Sequence, residues 1–231
     1  MVCSPLNIPQ PNHSAMTTHA PFIVLDGIDG TGKSTQSRML VDWLHDRGIA
    51  AIRTSDPGST PVGDKLRAIL LDANSEISLR AEAMLFMASR AELVEKIIRP
   101  TLANGIVVIS DRFTLANVVY QGHAGGLDAE DLWRIGHFVT CGVEPDITYV
   151  LDLPVEQAEV RRGRAADRME ARDYAFRERV REGFLYEARL QPEKIQIFDA
   201  SGSVDALQQR LRERVAGLLR HRGFRFPDGK P

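Results

Sequence analysis

Residues 22–34 read FIVLDGIDGTGKS, an apolar run followed by a glycine-rich turn that ends in Lys33 and Ser34. The run over 22–26 has the length of a buried strand, and the pattern that follows predicts a helix over 34–46. Residues 27–34 match G-x-x-x-x-G-K-[ST] between that strand and that helix. Backbone N–H groups in such a turn, together with the helix N-terminus, attract phosphate. The stretch therefore predicts a nucleoside triphosphate site.

Each type of residue in this loop has a chemical reason. Glycines let the backbone turn tightly, Lys33 neutralises the β- and γ-phosphates, and the Ser34 hydroxyl ligates Mg²⁺. A carboxylate at Asp29 is unfavourable in an anion-binding loop, which indicates a role of its own. We expect the ATP contacts to come from nine consecutive residues: Gly27, Ile28, Asp29, Gly30, Thr31, Gly32, Lys33, Ser34 and Thr35.

The rest of the chain alternates strand and helix patterns. Further strands are predicted over 50–54, 106–110, 147–153 and 194–198. Further helices are predicted over 62–71, 79–102, 115–121, 128–141, 155–162, 174–190 and 204–220. This alternation predicts an α/β fold with a parallel five-stranded sheet and helices on both faces. We expect a disordered leader over 1–20, a single domain over 21–221 and a tail over 222–231.

Composition narrows the class of protein. The chain has 231 residues, a formal net charge of -2, 43% hydrophobic and 26% charged residues. That balance is typical of a globular enzyme or binding protein in the cytoplasm and argues against a basic nucleic-acid coat. No apolar run is long enough to cross a membrane. Two cysteines cannot form a disulfide framework, and the histidines lack zinc-ligand spacing.

The predicted strand over 106–110 leads into the sequence SDRF at residues 110–113. A Ras-type GTPase would carry an Asn/Thr-Lys-x-Asp tetrapeptide, which the chain lacks, and a motor ATPase would end this strand in Asp-Glu. An acid and an arginine at the carboxyl end of a strand lie where open α/β sheets bind ligands. We expect Asp111 to hold Mg²⁺ and Arg112 to clamp a phosphate.

Further motifs follow in a fixed order: DPGST at 56–60, LFMASR at 85–90, DRF at 111–113, YQG at 120–122, PD at 145–146 and DRME at 167–170. Together with the phosphate loop they resemble the thymidylate kinase family from about residue 22 to about 190. The resemblance implies a P-loop nucleoside monophosphate kinase fold with a lid, and phosphorylation of dTMP to dTDP by ATP with Mg²⁺. It also implies a cytoplasmic homodimer without nucleic-acid or membrane partners. The alternatives are a P-loop kinase for another nucleotide or nucleoside, and an inactive nucleotide-binding regulator.

The resemblance also suggests the dTMP contacts. Phe86 and Arg90 lie four residues apart on one helix face, as expected for stacking on thymine and donating to its carbonyl. On periodicity alone, Phe86 is better interpreted as a core aromatic and Arg90 as a solvated helix residue. The other dTMP contacts that the resemblance implies are Asp29 and Tyr120 near the sugar, Asn117 and Gln121 near the base, and Arg112.

The segment near 161–171 resembles the family's lid. Family members carry a catalytic arginine either in the phosphate loop or in the lid. Gly30 occupies the loop position here, so Arg161, Arg162 and Arg164 are the lid candidates beside the catalytic residues Lys33, Arg112 and Asp29. The chain departs from the family at Ser55, where an arginine precedes the DPGST-like motif in relatives.

Overall fold

The computed structural model describes residues 20–162 and 172–226. Five parallel strands form one sheet in the order β2-β3-β1-β4-β5. The strands are β1 (Phe22–Asp26), β2 (Ala51–Ser55), β3 (Val107–Asp111), β4 (Ile147–Asp152) and β5 (Ile195–Asp199). The predicted five-stranded parallel sheet is confirmed, with strand ends shifted by about one residue, the usual uncertainty of such boundaries.

Helices connect the strands. They are α1 (Lys33–His45), α2 (Pro61–Leu71), α3 (Leu79–Leu93), α4 (Arg99–Ala103), α5 (Thr114–Asn117), α6 (Ala129–Val139), α7 (Val155–Arg162), α8 (Tyr174–Leu190) and α9 (Val204–His221). Within the described ranges no helix is both long and apolar enough to span a bilayer.

Strand β1 is buried on both sides, because helices cover both faces of the sheet. Ile23 and Leu25 pack with α1 and α9 in one core, whereas Phe22 and Val24 pack with Val94 in a second. Successive side chains of a strand point to opposite faces, so an uninterrupted apolar run fills both cores. The predicted arrangement of helices on both faces is confirmed.

Two helical stretches contain π-helical turns that the sequence pattern predicted as α-helix. Val94–Ile98 joins α3 to α4, and Val118–His123 follows α5. A π-turn closes hydrogen bonds from residue i to i+5 instead of i+4, adds one residue to the turn and is frequent at functional sites. The second turn carries Tyr120 and Gln121, two of the predicted dTMP contacts.

Part of the predicted tail is packed against the body. Phe224 and Phe226 contact the main core, and the ring of Phe226 lies 5.8 Å from that of Trp43 on α1. Arg222 pairs with Asp146 at the start of β4. Three aromatic and charged anchors therefore hold residues 222–226 in place.

The register brings the functional ends of strands together. Leu25 pairs with Asp111 across β1 and β3, and Asp26 pairs with Val150 across β1 and β4. Because the sheet is parallel, the carboxyl ends of β1, β2 and β3 lie at one edge. The phosphate loop, Ser55 and Arg112 therefore open onto the same crevice.

Candidate active site

The phosphate loop requires glycine at two positions where the chain passes close to neighbouring backbone. Gly27 has φ +128°, and a Cβ there would lie 2.4 Å from the Leu151 carbonyl oxygen. Gly30 has φ +91°, and a Cβ there would lie 2.1 Å from the Ala158 carbonyl oxygen of α7. Helix α7 leads into the lid segment, so its close approach leaves no room for an arginine at residue 30.

Lys33 is the first residue of α1 and is buried. Its Nζ donates to the Ile28 carbonyl at 2.8 Å and lies 3.8 Å from Asp29 Oδ1. Burial and the charge of Arg112 lower the pKa of Lys33, against the carboxylates of Asp29 and Asp111. The lysine thus lies across the loop, beside the backbone groups that would surround a phosphate.

Ser34 and Asp111 meet as the sequence predicts for a magnesium site. Ser34 Oγ donates to Asp111 Oδ2 at 2.5 Å, and Arg53 Nη2 lies 3.3 Å from the same oxygen. In the ranges that the structure describes, no group of three or more histidine, cysteine, aspartate or glutamate side chains could hold a metal ion. Two oxygens fit Mg²⁺, which binds through one or two protein ligands, water and substrate phosphates.

Arg112 connects the end of β3 to the phosphate loop. Its Nη1 donates to Asp26 Oδ1 at 3.0 Å and to the Gly27 carbonyl at 2.9 Å. Its Nη2 donates to Asp29 Oδ1 at 2.6 Å and to Tyr120 Oη at 3.0 Å. Tyr120 Oη in turn donates to Asp29 Oδ2 at 3.0 Å. One guanidinium therefore orients the loop acid and the tyrosine together.

The pKa values of two carboxyls, Asp26 at the end of β1 and Asp29 in the phosphate loop, are shifted in opposite directions. Burial raises the pKa of Asp26 to about 6, against the opposing charges of Arg112 and Lys33. Burial alone would also raise the pKa of Asp29, but the charges of Arg112 and Lys33 hold it well below its usual range. Asp29 therefore stays ionised, whereas Asp26 can take up a proton under mildly acidic conditions.

The predicted base-reading residues form a buried polar cluster. Arg90 is 1% exposed, and its Nε donates to Asp56 Oδ2 at 2.5 Å. Arg90 Nη1 donates to Asn117 Oδ1 at 3.2 Å, and Asn117 Nδ2 donates to Gln121 Oε1 at 2.6 Å. The solvated reading of Arg90 is wrong, because the arginine is buried with an acid that the sequence analysis did not assign. Phe86 is half-buried and packs against the main core.

One cavity of about 460 Å³ joins these groups. The predicted site residues that line it are Asp29, Gly30, Gly32, Lys33, Ser34, Thr35, Phe86, Arg90, Asp111, Arg112, Asn117, Tyr120, Gln121 and Arg161. The predicted ATP contacts Gly27, Ile28 and Thr31 lie in the same loop but do not line the cavity. The sequence predictions thus converge on one space that is large enough for small ligands.

Further residues that were not predicted from the sequence also line this cavity. Arg53, Asp56 and Arg67 belong to its wall, and Arg67 Nη1 donates to the Pro57 carbonyl at 2.8 Å. Arg53 lies two residues before Ser55 on β2, and side chains two apart on a strand share a face. This two-residue spacing along the strand could have identified Arg53 as a residue of the cavity wall. Arg67 stands in an ordinary helical pattern that gave no signal.

The lid candidates lie at the edge of the described structure. Arg161 Nη1 donates to the Ala200 carbonyl at 2.6 Å, and its Nη2 donates to the Ser201 carbonyl at 2.9 Å. The Arg162 side chain and Arg164 lie outside the described residues, as does most of the predicted lid over 161–171. Arg161 therefore fastens the end of α7 to the loop after β5.

A phosphate loop at the carboxyl edge of a β2-β3-β1-β4-β5 sheet, facing a second polar pocket, defines a P-loop nucleoside monophosphate kinase. Comparison with known proteins narrows this class. The thymidylate kinase family model matches residues 25–211. The thymidylate kinase of Rhodopirellula baltica is 45% identical over 207 residues, covering 89% of this chain and 84% of the relative. That of Symbiobacterium thermophilum is 44% identical over 212 residues, covering 91% and 99%.

A solved structure agrees with the sequence relatives. The crystal structure of thymidylate kinase from Ehrlichia chaffeensis superposes with a TM-score of 0.72 at 28% identity, covering 85% of this chain and 98% of that one. The chain belongs to the thymidylate kinase family, enzymes that phosphorylate dTMP with ATP. The predicted family, fold, enzyme class and reaction are thereby confirmed. These relatives give no support to the alternatives of another acceptor or an inactive regulator.

The raised pKa of Asp26 predicts a stability change between pH 4 and pH 7. Folding favours protonated Asp26, so its contribution to the free energy of unfolding is fully present below the ordinary carboxyl pKa of 3.8 and is lost as the pH rises through about 6. Urea unfolding should show that wild type loses about 3 kcal/mol of its free energy of unfolding relative to Asp26→Asn over this range.

Asp72→Asn is the control for this measurement. The Asn74 backbone N–H lowers the pKa of exposed Asp72, so the pH dependence of that variant should have the opposite sign. A pH-independent difference for Asp26→Asn would contradict the assignment.

Proposed function

We propose that this chain transfers the γ-phosphoryl group of ATP directly to the phosphate of dTMP, with ATP on the loop 27–35 and dTMP along the line from Arg112 to Arg90. The observation that carries this assignment is the position of Arg112. Its guanidinium contacts Asp29 of the phosphate loop and Tyr120 at the same time. Tyr120 belongs to the part of the cavity proposed for dTMP, here called the acceptor pocket, together with Phe86, Arg90, Asn117 and Gln121. Both substrates would therefore meet beside one fixed cation.

On the ATP side, backbone N–H groups of the loop and the N-terminus of α1 would surround the phosphates. Lys33 would exchange its contact with the Ile28 carbonyl for the β- and γ-phosphates. Ser34 and Asp111 would hold Mg²⁺, which supplies charge neutralisation at the transferring phosphoryl group. Arg53 beside Asp111 keeps that carboxylate oriented toward Ser34.

On the dTMP side, the half-buried ring of Phe86 would stack on thymine, a contact worth about 1–3 kcal/mol. Arg90 would donate to the 4-carbonyl, and Asn117 and Gln121 would contact the ring edge. Tyr120 and Asp29 would lie against the sugar, where the tyrosine leaves no room for a ribose 2′-hydroxyl. Arg112 would attract the phosphate of dTMP by its charge and donate to it from Nε, because both of its Nη atoms already donate to protein acceptors.

Transfer between two phosphates needs position and charge more than a base, because the dTMP phosphate is already a nucleophile at neutral pH. Lys33 and Arg112 would supply the charge in the open site. An arginine from Arg161, Arg162 or Arg164 would add charge when the lid closes and excludes water. Arg161 would have to leave the carbonyls of residues 200 and 201 to do so.

We also propose the wider organisation that the family resemblance implies. Residues 21–221 would form one kinase domain with a lid near 161–171, flanked by a leader over 1–20 and by a tail over 222–231, of which residues 222–226 pack against the domain. The enzyme would act as a cytoplasmic homodimer. Support for self-association comes from α2 and α3, which expose Val62, Ile69 and Met84. Light scattering of the purified chain tests the oligomeric state.

Lys33→Ala should abolish transfer and leave the fold intact, because Lys33 balances phosphate charge. Loss of such a contact lowers kcat by about a hundredfold or more. Steady-state ADP release with dTMP measures kcat, and circular dichroism checks the fold. Lys194→Ala, which removes an exposed lysine paired with Glu144, is the control and should keep wild-type kcat. A near-normal kcat for Lys33→Ala would refute the phosphate-loop assignment.

The enzyme should select dTMP over dCMP and UMP. Cytosine would place an amino group against the Arg90 donor, and UMP would bring a ribose 2′-hydroxyl against Tyr120. A coupled ADP-release assay should give kcat/KM for dTMP at least about a hundredfold above that for dCMP. ADP release without acceptor is the background to subtract. Equal values for the three acceptors would show that the pocket is assigned wrongly.

A further inference from the structure

A continuous chain of hydrogen bonds runs from the end of the lid segment into the acceptor pocket. Arg172, the first residue described after 163–171, contacts both carboxylate oxygens of Glu82, at 3.1 Å and 2.9 Å. Glu82 Oε1 accepts from Gln121 Nε2 at 2.8 Å. The chain continues from Gln121 through Asn117 to Arg90. Neither Glu82 nor Arg172 has a role in the proposed mechanism.

The chain has one direction, because each link uses a donor on the side of Arg90 and an acceptor on the side of Glu82. Arg90 donates to Asn117, Asn117 donates to Gln121, and Gln121 donates to Glu82. A carboxylate only accepts and a guanidinium only donates, so Glu82 at one end and Arg90 at the other together fix which way both amides face. Without the Glu82 carboxylate, Gln121 would lose its acceptor, and only the contact of Arg90 with Asn117 would oppose a half-turn that exchanges the oxygen and nitrogen of each amide.

The amide orientation matters for the base. As the structure has it, Asn117 Oδ1 lies beside the Arg90 guanidinium, so this corner of the pocket offers a donor next to an acceptor. That pattern matches a pyrimidine with a 4-carbonyl and a protonated N3, as in thymine. A rotated Asn117 would present an amino group instead, which matches the unprotonated N3 of cytosine.

Glu82 is a buried carboxylate that is paired with a cation. Its side chain is fully buried, and Gln121 and Asn117 are 1% and 2% exposed. A buried carboxylate is costly unless it is paired and hydrogen-bonded. Arg172 supplies a two-point contact, and its guanidinium lies 4.5 Å from the ring centre of Phe176, which holds the arginine in place.

We propose that Arg172 and Glu82 are positioning residues for the nucleobase: the Arg172–Glu82 ion pair fixes the amide orientation of Gln121 and Asn117 and thereby the preference for a 4-oxo pyrimidine. The proposal rests on the proposed placement of the thymine ring beside Arg90.

The test compares kcat/KM for dTMP and dCMP in Glu82→Gln, Arg172→Met and Arg172→Lys. Glu82→Gln keeps the volume of residue 82 but lets it donate, so the ratio of dTMP to dCMP should fall about tenfold. Arg172→Met should reduce the ratio similarly, and Arg172→Lys should keep most of it because the charge remains. The lower kcat/KM for dTMP should come from a higher KM for dTMP, whereas KM for ATP should stay unchanged.

Arg179→Met is the matched control. Arg179 lies 5.7 Å from the same Phe176 ring and donates to the Ala124 carbonyl, so its removal disturbs α8 similarly. The control should keep the wild-type ratio. A wild-type ratio in Glu82→Gln and Arg172→Met, even with lower thermal stability, would overturn the proposal and leave a purely structural ion pair. Where Arg172→Met does not fold, Glu82→Gln and Arg172→Lys decide. A wild-type enzyme without activity on dTMP would instead refute the proposed function.

Discussion

The ion pairs of Arg112 with Asp26 and Asp29 hold the site together. Arg112 has φ +71°, a conformation that non-glycine residues avoid and that costs about 1–3 kcal/mol. The contacts at 3.0 Å to Asp26 and 2.6 Å to Asp29 stabilise it there. Because the strands β1 and β3 are neighbours, this one side chain sets the distance between the phosphate loop and the acceptor pocket. Removal of its charge would leave buried Asp26 without its cation.

The two halves of the site are built differently. The ATP half is built mainly from the backbone turn of the glycines and the start of α1, which are close in sequence, and adds Asp111 of β3 beside Ser34. The acceptor half uses side chains from distant segments, such as Asp56 with Arg90 and Arg112 with Tyr120. Local backbone geometry is therefore enough for phosphate binding, whereas acceptor recognition depends on the packing of α3 and the π-turn 118–123 against the sheet.

This difference explains how far the sequence alone could predict the structure. The strand Phe22–Asp26 and the helices α7 and α8 have the predicted bounds, because apolar periodicity and polar breaks mark them clearly. The phosphate loop was predictable since its function depends on eight consecutive residues. The π-turns escaped prediction because each is a single turn inside a longer helix, too short to leave an apolar pattern of its own. The contact of Glu82 with Arg172 spans 90 residues and leaves no local pattern.

Titration calorimetry of Arg112→Lys with dTMP tests the central role of Arg112 most directly. Lysine keeps the charge but cannot contact Asp26, Asp29 and Tyr120 at once, because it lacks the planar fork of the guanidinium. The account predicts that dTMP binding weakens by about tenfold or more, while binding of ATP, measured in the same way, changes little. Wild-type affinity for dTMP in a folded Arg112→Lys enzyme would contradict it.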